Sequence, residues 1–493
     1  MIRIYKYKYI NIIAFIALTA IYSCGNPKIP TDFDTSTKEV VIYPDYKDVV
    51  IPPNIAPLNF IIKENGKEFI IVYKDADKKV LLTEQANKDS KVQIEESKWK
   101  ELLKSNKGKD IYVEIFAKSG NRWIKYPEYK LTIANEPIDS YISYRLIEPG
   151  YEMYRQLGLY QRNLTNFDVY TIYENNRTYE DENNHCINCH NYQNYSTKSM
   201  LFHVRGSHGG TIVANNGSIR KINMKNDSVL SSTVYPSWHP RLPYVVFSSN
   251  KTGQVFHMLD TEKIEVLDWP SDLVFYDVKR NVIRNILQTQ SDFETFPCWS
   301  PDGKKVYYTC ATVKELESLP DSLKIGFVKM NYRNLHYNVM SIDFDEKTQT
   351  FGTPVVEVDC ASQNKSASVP RVSPDGRYLL FTLGDFGQFH IWHRSADLYI
   401  KDLKSGKVFP LTQANSNDTE SFHCWSSNGR WIAFTSRRDD GSFTRLYLSY
   451  FDKEGKEHKA FIMPQQDPMQ NVLLLKSYNV PEMTRDAVTY SAE

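Results

Sequence analysis

Phe296-Pro-Cys-Trp-Ser-Pro-Asp-Gly-Lys-Lys-Val-Tyr-Tyr-Thr, ending at Thr309, is the stretch whose reading decides the fold. Three others share its plan. They are Tyr235-Pro-Ser-Trp-His-Pro running on to Val245-Val-Phe-Ser-Ser, Val369-Pro-Arg-Val-Ser-Pro-Asp-Gly to Tyr378-Leu-Leu-Phe-Thr, and Phe422-His-Cys-Trp-Ser-Ser-Asn-Gly to Trp431-Ile-Ala-Phe-Thr-Ser. Each reads as strand, tight turn, strand, because Asp-Gly or Asn-Gly tolerates the positive φ of the turn and β-branched or aromatic residues fill the second strand. Asp397 to Val408 and Leu446 to Glu457 then add an apolar strand and a polar hairpin. Equivalent positions (Trp238, Trp299, Val372, Trp425) are 61, 73 and 53 residues apart. The usual four-stranded repeat takes about 40–45 residues, so insertions or weaker units lie between the visible ones. Leu201-Phe-His-Val-Arg to Ile219-Arg-Lys-Ile-Asn reads as one more unit. The expectation is an all-β chain with a β-propeller over residues 198–480, of six blades, or else seven.

The pattern W-S-P-D-G-(R/K)-x-(I/L/V)-x-F-(S/T)-S resembles the TolB-like family of WD40-like β-propellers, over roughly Tyr235 to Phe461. The resemblance implies a propeller and little about function, since such propellers serve as scaffolds, receptors and parts of enzymes. The chain has no GxSxG elbow, no HExxH and no P-loop, which disfavours hydrolase, zinc-protease and nucleotide chemistry by those routes. Lys plus Arg (60) nearly equals Asp plus Glu (59), so there is no electrostatic footprint for nucleic acid.

Upstream, short strands such as Phe69-Ile-Ile-Val-Tyr and Ile111-Tyr-Val-Glu-Ile-Phe predict an immunoglobulin-like β-sandwich over residues 43–135, with a helix near Glu95 to Ser105. Residues 24–42 read as a tether. Residues 1–23 carry Arg3, Lys6 and Lys8 and then an apolar run from Ile10 to Ile21, just before Tyr22-Ser23-Cys24. This resembles a bacterial lipoprotein signal, with cleavage before Cys24 and lipidation of its thiol; an uncleaved anchor is the alternative. Either reading exports the chain, and the first makes it a membrane-anchored lipoprotein of the periplasm or outer membrane of a Gram-negative bacterium.

Residues 136–197 are expected to link sandwich to propeller, and they contain Cys186-Ile-Asn-Cys-His190, a CxxCH. Two thiols one helical turn apart can form thioethers to both vinyl groups of one porphyrin, and the adjoining histidine then ligates the iron. On this reading Cys186 and Cys189 hold one covalent haem c and His190 is its proximal metal ligand. His203 or Met200 would be the distal ligand, and Arg205, on the His203 face, would pair with a propionate. The expected function is electron relay, with the propeller docking a redox partner and the membrane reached through Cys24. The alternative is a non-redox scaffold that binds protein or glycan, with Cys186 and Cys189 as a disulfide. Cys298, Cys310, Cys360 and Cys424 read as buried small hydrophobes. The loop Gly384-Asp-Phe-Gly to Asp397, with His390 and His393, reads either as a ligand contact at a propeller mouth or as an ordinary polar insertion.

Overall fold

The Ser-x-Asp/Asn-Gly signature is built the same way three times. Ser300 Oγ donates to Asp302 Oδ1 at 2.6 Å and accepts from Lys305 N at 3.0 Å. Ser373 bonds Asp375 and Tyr378 N (2.5 and 2.9 Å), and Ser426 bonds Asn428 and Trp431 N (2.6 and 2.9 Å). The glycines next in these turns lie at φ +73°, +74° and +66°, a region that costs an L side chain about 1–2 kcal/mol. His239 takes the serine's place in the Tyr235 repeat, its Nδ1 accepting from Leu242 N at 3.0 Å.

Each turn joins the inner two strands of an antiparallel sheet, four-stranded in every blade except the fourth, which has five strands. The computed structural model describes residues 27–489 apart from 149–155, 176–179, 181–184, 207, 226–228, 230, 232, 258–261 and 263. Six such sheets form the blades. Blade 2 starts at His185–Gln193, blade 3 at Thr233–Trp238, blade 4 at Asp292–Trp299, blade 5 at Ser366–Val372 and blade 6 at Glu420–Trp425. Blade 1 takes its inner strand from the C-terminal end of the described chain, Ser477–Thr484. That strand pairs antiparallel with Tyr141–Ile147, beyond which lie Gly158–Asn163 and Val169–Glu174. Neighbouring inner strands touch all the way round the ring. The chain is nearly all-β, with the propeller of six blades.

The segment 136–197, expected to be a linker, is therefore not one. Tyr141–Glu174 supplies three strands of blade 1, and His185–Gln193 is the inner strand of blade 2. The reason is closure: blade 1 has only one strand from the far end of the chain and must take the rest from before blade 2.

Upstream lie a seven-stranded and a three-stranded sheet, with a helix at Glu96–Ser105 that turns Trp99, Leu102 and Leu103 inward at i, i+3 and i+4. Trp99 Nε1 donates to Ile55 O at 3.0 Å. One apolar core runs from these sheets into blades 1, 5 and 6. Polar bonds fix the contact: Trp431 Nε1 to Glu136 O (3.0 Å), Ser427 N to Asp139 Oδ2 (2.6 Å) and Asn59 Nδ2 to Gln466 O (2.9 Å). Burying this much apolar surface couples the two parts mechanically. No helix among the described residues is long and apolar enough to cross a membrane.

The two turn glycines separate steric from conformational cost. A Cβ on Gly303 would lie 2.3 Å from His239 Nε2, whereas one on Gly376 meets nothing within 4 Å. Gly376→Ala is expected to cost about 1 kcal/mol, from the positive φ alone. Gly303→Ala is expected to cost at least ~2 kcal/mol more, because His239 must move and lose its bond to Gly303 O. Denaturant unfolding of both variants measures the difference.

Candidate functional site

Every inner strand carries one residue at positive φ within a register shift: Cys189 (+55°), Tyr235 (+49°), Phe296 (+51°), Val369 (+51°), Phe422 (+40°) and Val480 (+47°). The shifts fall at Asn188/Asn191, Val234/Ser237, Thr295/Cys298, Ser368/Arg371 and Ser421/Cys424, and in blade 1 the outer partner shifts at Ser143/Arg145. These are β-bulges, and a left-handed Val or Phe costs of order 1–3 kcal/mol. The bulge aims one side chain per blade at the axis, where Phe296, Val369 and Phe422 pack with Tyr235, Val480 and Ile391. The rings of Tyr235 and Phe296 lie 4.2 Å apart.

This plug separates two cavities. At the end where the inner strands finish, about 220 Å³ is lined by Asn191, Ser237, Cys298, Arg371, Cys424 and Glu482, two residues beyond the axial set. Burial pushes the Glu482 carboxyl up to about 8, although it accepts from Asn191 Nδ2 at 2.7 Å and Tyr192 N at 3.1 Å. At the end where the inner strands begin, a cavity of about 690 Å³ opens, a size typical of small-molecule sites. Apolar residues on its wall include Ile264, Val266, Phe389, Ile391, Trp392 and Phe443, and its charged groups are Arg145, Arg205, Arg437 and Glu148.

Arg145 Nη1 donates to Ile187 O (3.0 Å) and Asn188 Oδ1 (2.9 Å), and lies 3.9 Å from Cys186 Sγ. Arg205 stands directly opposite Cys186 in the ladder of blade 2. Arg437 lies over the Trp392 ring at 4.9 Å and donates to Trp392 O at 3.4 Å. Below the floor, buried Asp268 accepts from Gln388 Nε2 (2.8 Å), Thr252 Oγ1 (2.5 Å) and Tyr235 OH (3.3 Å), and burial raises its carboxyl above the usual range.

Of the haem-motif residues, Cys186 lines the large cavity. Cys189 holds the axial place of the repeated bulge, and burial pushes its thiol up to about 11. A thiol so protonated is a poor nucleophile at neutral pH. His190 is 4 % exposed, with no partner for Nε2 among the described residues and its ring 6.1 Å from that of Tyr192. It takes the place held by Pro236, Pro297, Pro370 and Pro481 in four blades and by His423 in the sixth. Burial, reinforced by the Arg145 charge, lowers His190 to about 3.

The pentapeptide is thus a bulged strand with Cys189 left-handed, where the haem reading needs a helical turn. Its side chains go to three places: the mouth cavity, the axis and the packing against blade 1. Two thioethers and a proximal ligand on one porphyrin do not fit this strand, so these residues and the expected haem c disagree. Both cysteines are free thiols, as are Cys298, Cys310, Cys360 and Cys424.

Met200 is 2 % exposed and packs in the core between blades 1 and 2. His203 Nδ1 faces Thr211 Oγ1 at 3.2 Å, and burial lowers the ring to about 3. Neither lines the cavity; Arg205 does. Cys24 lies outside the described residues. The loop after Gly384 divides its residues: Phe389, Ile391 and Trp392 face the cavity, while His390 Nδ1 meets Ser368 Oγ at 2.8 Å and His393 Nε2 meets Glu265 Oε2 at 2.8 Å. Sequence reading missed Arg145, Arg437 and Asn479. Arg145 comes from the supposed linker, and no local pattern marks the other two.

No family model and no curated protein matches the chain. Among solved structures it is similar to the tricorn protease, 11% identical over 71% of this chain and 33% of that one, with TM-score 0.30. An oligogalacturonate lyase in complex with manganese is 10% identical over 65% of this chain and 85% of that one, with TM-score 0.33. Prolyl oligopeptidase B from Galerina marginata is 10% identical over 71% and 42%, with TM-score 0.36. The chain spans about a third of the length of the tricorn protease.

The equivalence of His190 with four prolines is testable. His190→Pro is expected to fold and to change stability at pH 7 by no more than about 1.5 kcal/mol. The histidine's folded pKa lies below its unfolded one (about 3 against 6.5). Its neutral form therefore stabilises fully above pH 6.5, and that contribution is lost as pH falls toward 3. The variant should gain on the native protein by about 1.4 kcal/mol per pH unit across that window. Urea unfolding at pH 7, 6, 5 and 4 checks both statements.

Proposed function

We propose that this protein is a binding propeller that holds a small molecule in the cavity where its inner strands begin. The observation that carries the reading is a set of buried polar atoms on that wall without partners among the described residues: Arg145 Nε, Arg437 Nε and Asn479 Oδ1. A buried donor or acceptor left unpaired costs about 1–3 kcal/mol. Three around one cavity of ligand size form a site that a guest can complete. The four repeats related to Trp299-Ser-Pro-Asp-Gly303 support a TolB-like propeller, and the amino-terminal pattern supports export and anchoring through Cys24. Electron relay through covalent haem is not part of this reading, because Cys186, Cys189 and His190 diverge.

Two measurements test it. Protein purified from cell envelopes is expected to carry a small molecule in native mass spectrometry, and Val266→Trp, which fills the cavity, is expected to lose it while melting within a few degrees of the native protein. Retention of the same species by the filled variant would overturn the reading. Haem staining of denatured protein, made alongside the c-type maturation machinery, is expected to be negative. A stained band would restore the haem reading and require His185–Gln193 to leave the ring.

A further inference from the structure

Resting on that reading, we propose that the ligand is an organic anion with an apolar body, its charged group held by the arginines and its body lying on the wall of blades 3 and 5. The cavity wall carries three guanidinium groups against one carboxylate, Glu148. That carboxylate is already engaged, accepting from Gln156 N at 3.2 Å and lying 4.0 Å from Lys476 Nζ. Arg205 is held by its backbone in the ladder opposite Cys186, and among the described residues its side chain has no hydrogen bond or ion pair. Arg145 and Arg437 are 6 % and 8 % exposed, and each keeps an unpartnered Nε.

The other acids nearby are not on the cavity wall. Asp268 attracts Arg205 from behind the wall and accepts from Thr252, Gln388 and Tyr235, and Asp418, Asp440 and Glu262, in the field of Arg437, are not on the cavity wall either. Guanidinium forks suit carboxylate, sulfonate and phosphate oxygens, and inside a low-dielectric pocket each charge-assisted bond is stronger than at the surface. Arg145 and Arg205 both stand beside Cys186, at the start of the inner strand of blade 2. This places the anion at that end. Ile264, Val266, Phe389, Ile391 and Trp392 lie on the same wall and offer a planar or branched apolar body its contact surface. Asn479 Oδ1 is left to accept from a hydroxyl or amide on the guest. A neutral apolar molecule of the same shape would leave the arginines unpaired, and a cation would be repelled. The expected order of affinity is anion, then neutral, then cation.

The experiment compares 8-anilinonaphthalene-1-sulfonate with N-phenyl-1-naphthylamine, the same fused and phenyl rings without the sulfonate, by fluorescence titration of the full chain. The sulfonate is expected to bind at one site at least tenfold more tightly than the amine, a difference of about 1.4 kcal/mol. Arg205→Gln and Arg437→Gln should each weaken the sulfonate about tenfold and leave the amine unchanged, while Arg205→Lys keeps most of the affinity. Near-ultraviolet circular dichroism confirms that each variant is folded. Equal binding of both probes, both abolished by Val266→Trp and neither changed by the arginine variants, would overturn the anion while leaving the binding reading in place. No binding of either probe, or binding indifferent to Val266→Trp, would overturn both.

Discussion

The antiparallel ladder between Ser477–Thr484 and Tyr141–Ile147 closes the ring, and the other features of the propeller depend on it. Sheet edges are open templates for pairing, and a closed circle of blades protects them. Here the closing strand comes from the opposite end of the propeller chain, so blade 1 cannot form until both ends are present. Its bonds also place Arg145, on the outer partner, beside Asn188 and Cys186 of blade 2. The charged side of the large cavity is in this sense a product of closure.

A second constraint is the left-handed residue repeated once per inner strand. Six strands converging on an axis leave space for one side chain each, and the bulge turns that side chain inward at a conformational cost. The cost is tolerated for Val369 and Val480, β-branched residues for which positive φ is least favourable. The same demand determines where Cys189 and His190 point. In a helical turn they would face one porphyrin; in a bulged strand one faces the axis and the other the neighbouring blade. The chemistry open to a pentapeptide is set by its backbone, and here the backbone is set by the ring.

The axial plug is apolar, whereas the mouth above it adds charged groups to an apolar wall. Arg145, Arg205 and Arg437 are brought together from blades 1, 2 and 6, and the Phe389–Trp392 wall comes from a loop of blade 5. Buried guanidinium groups are costly unless paired, so their convergence on one wall, with unpartnered nitrogens of Arg145 and Arg437, works against stability. That is the physical basis for assigning binding to this end. The opposite mouth, of about 220 Å³, instead has Glu482 held by Asn191 and Tyr192.

Repeats were legible because local chemistry enforces them: the serine hydroxyl, the Asp or Asn side chain and the glycine close the same turn wherever they recur. Turn, strand pair and blade type could therefore be read from short stretches, as could a helix near Glu95 to Ser105. Blade 1 was illegible because its closing strand, Ser477–Thr484, lies some three hundred residues beyond its other three strands, and none of them bears the turn signature. The strand through the CxxCH was hidden for a related reason, since blade 2 departs from the repeat at the residues that would have identified its inner strand. What the sequence by itself determined was the architecture, through local bonds that need no distant partner. What only the tertiary structure decided was the site, because a cavity is made by side chains from separate blades, and their convergence is a property of the closed ring.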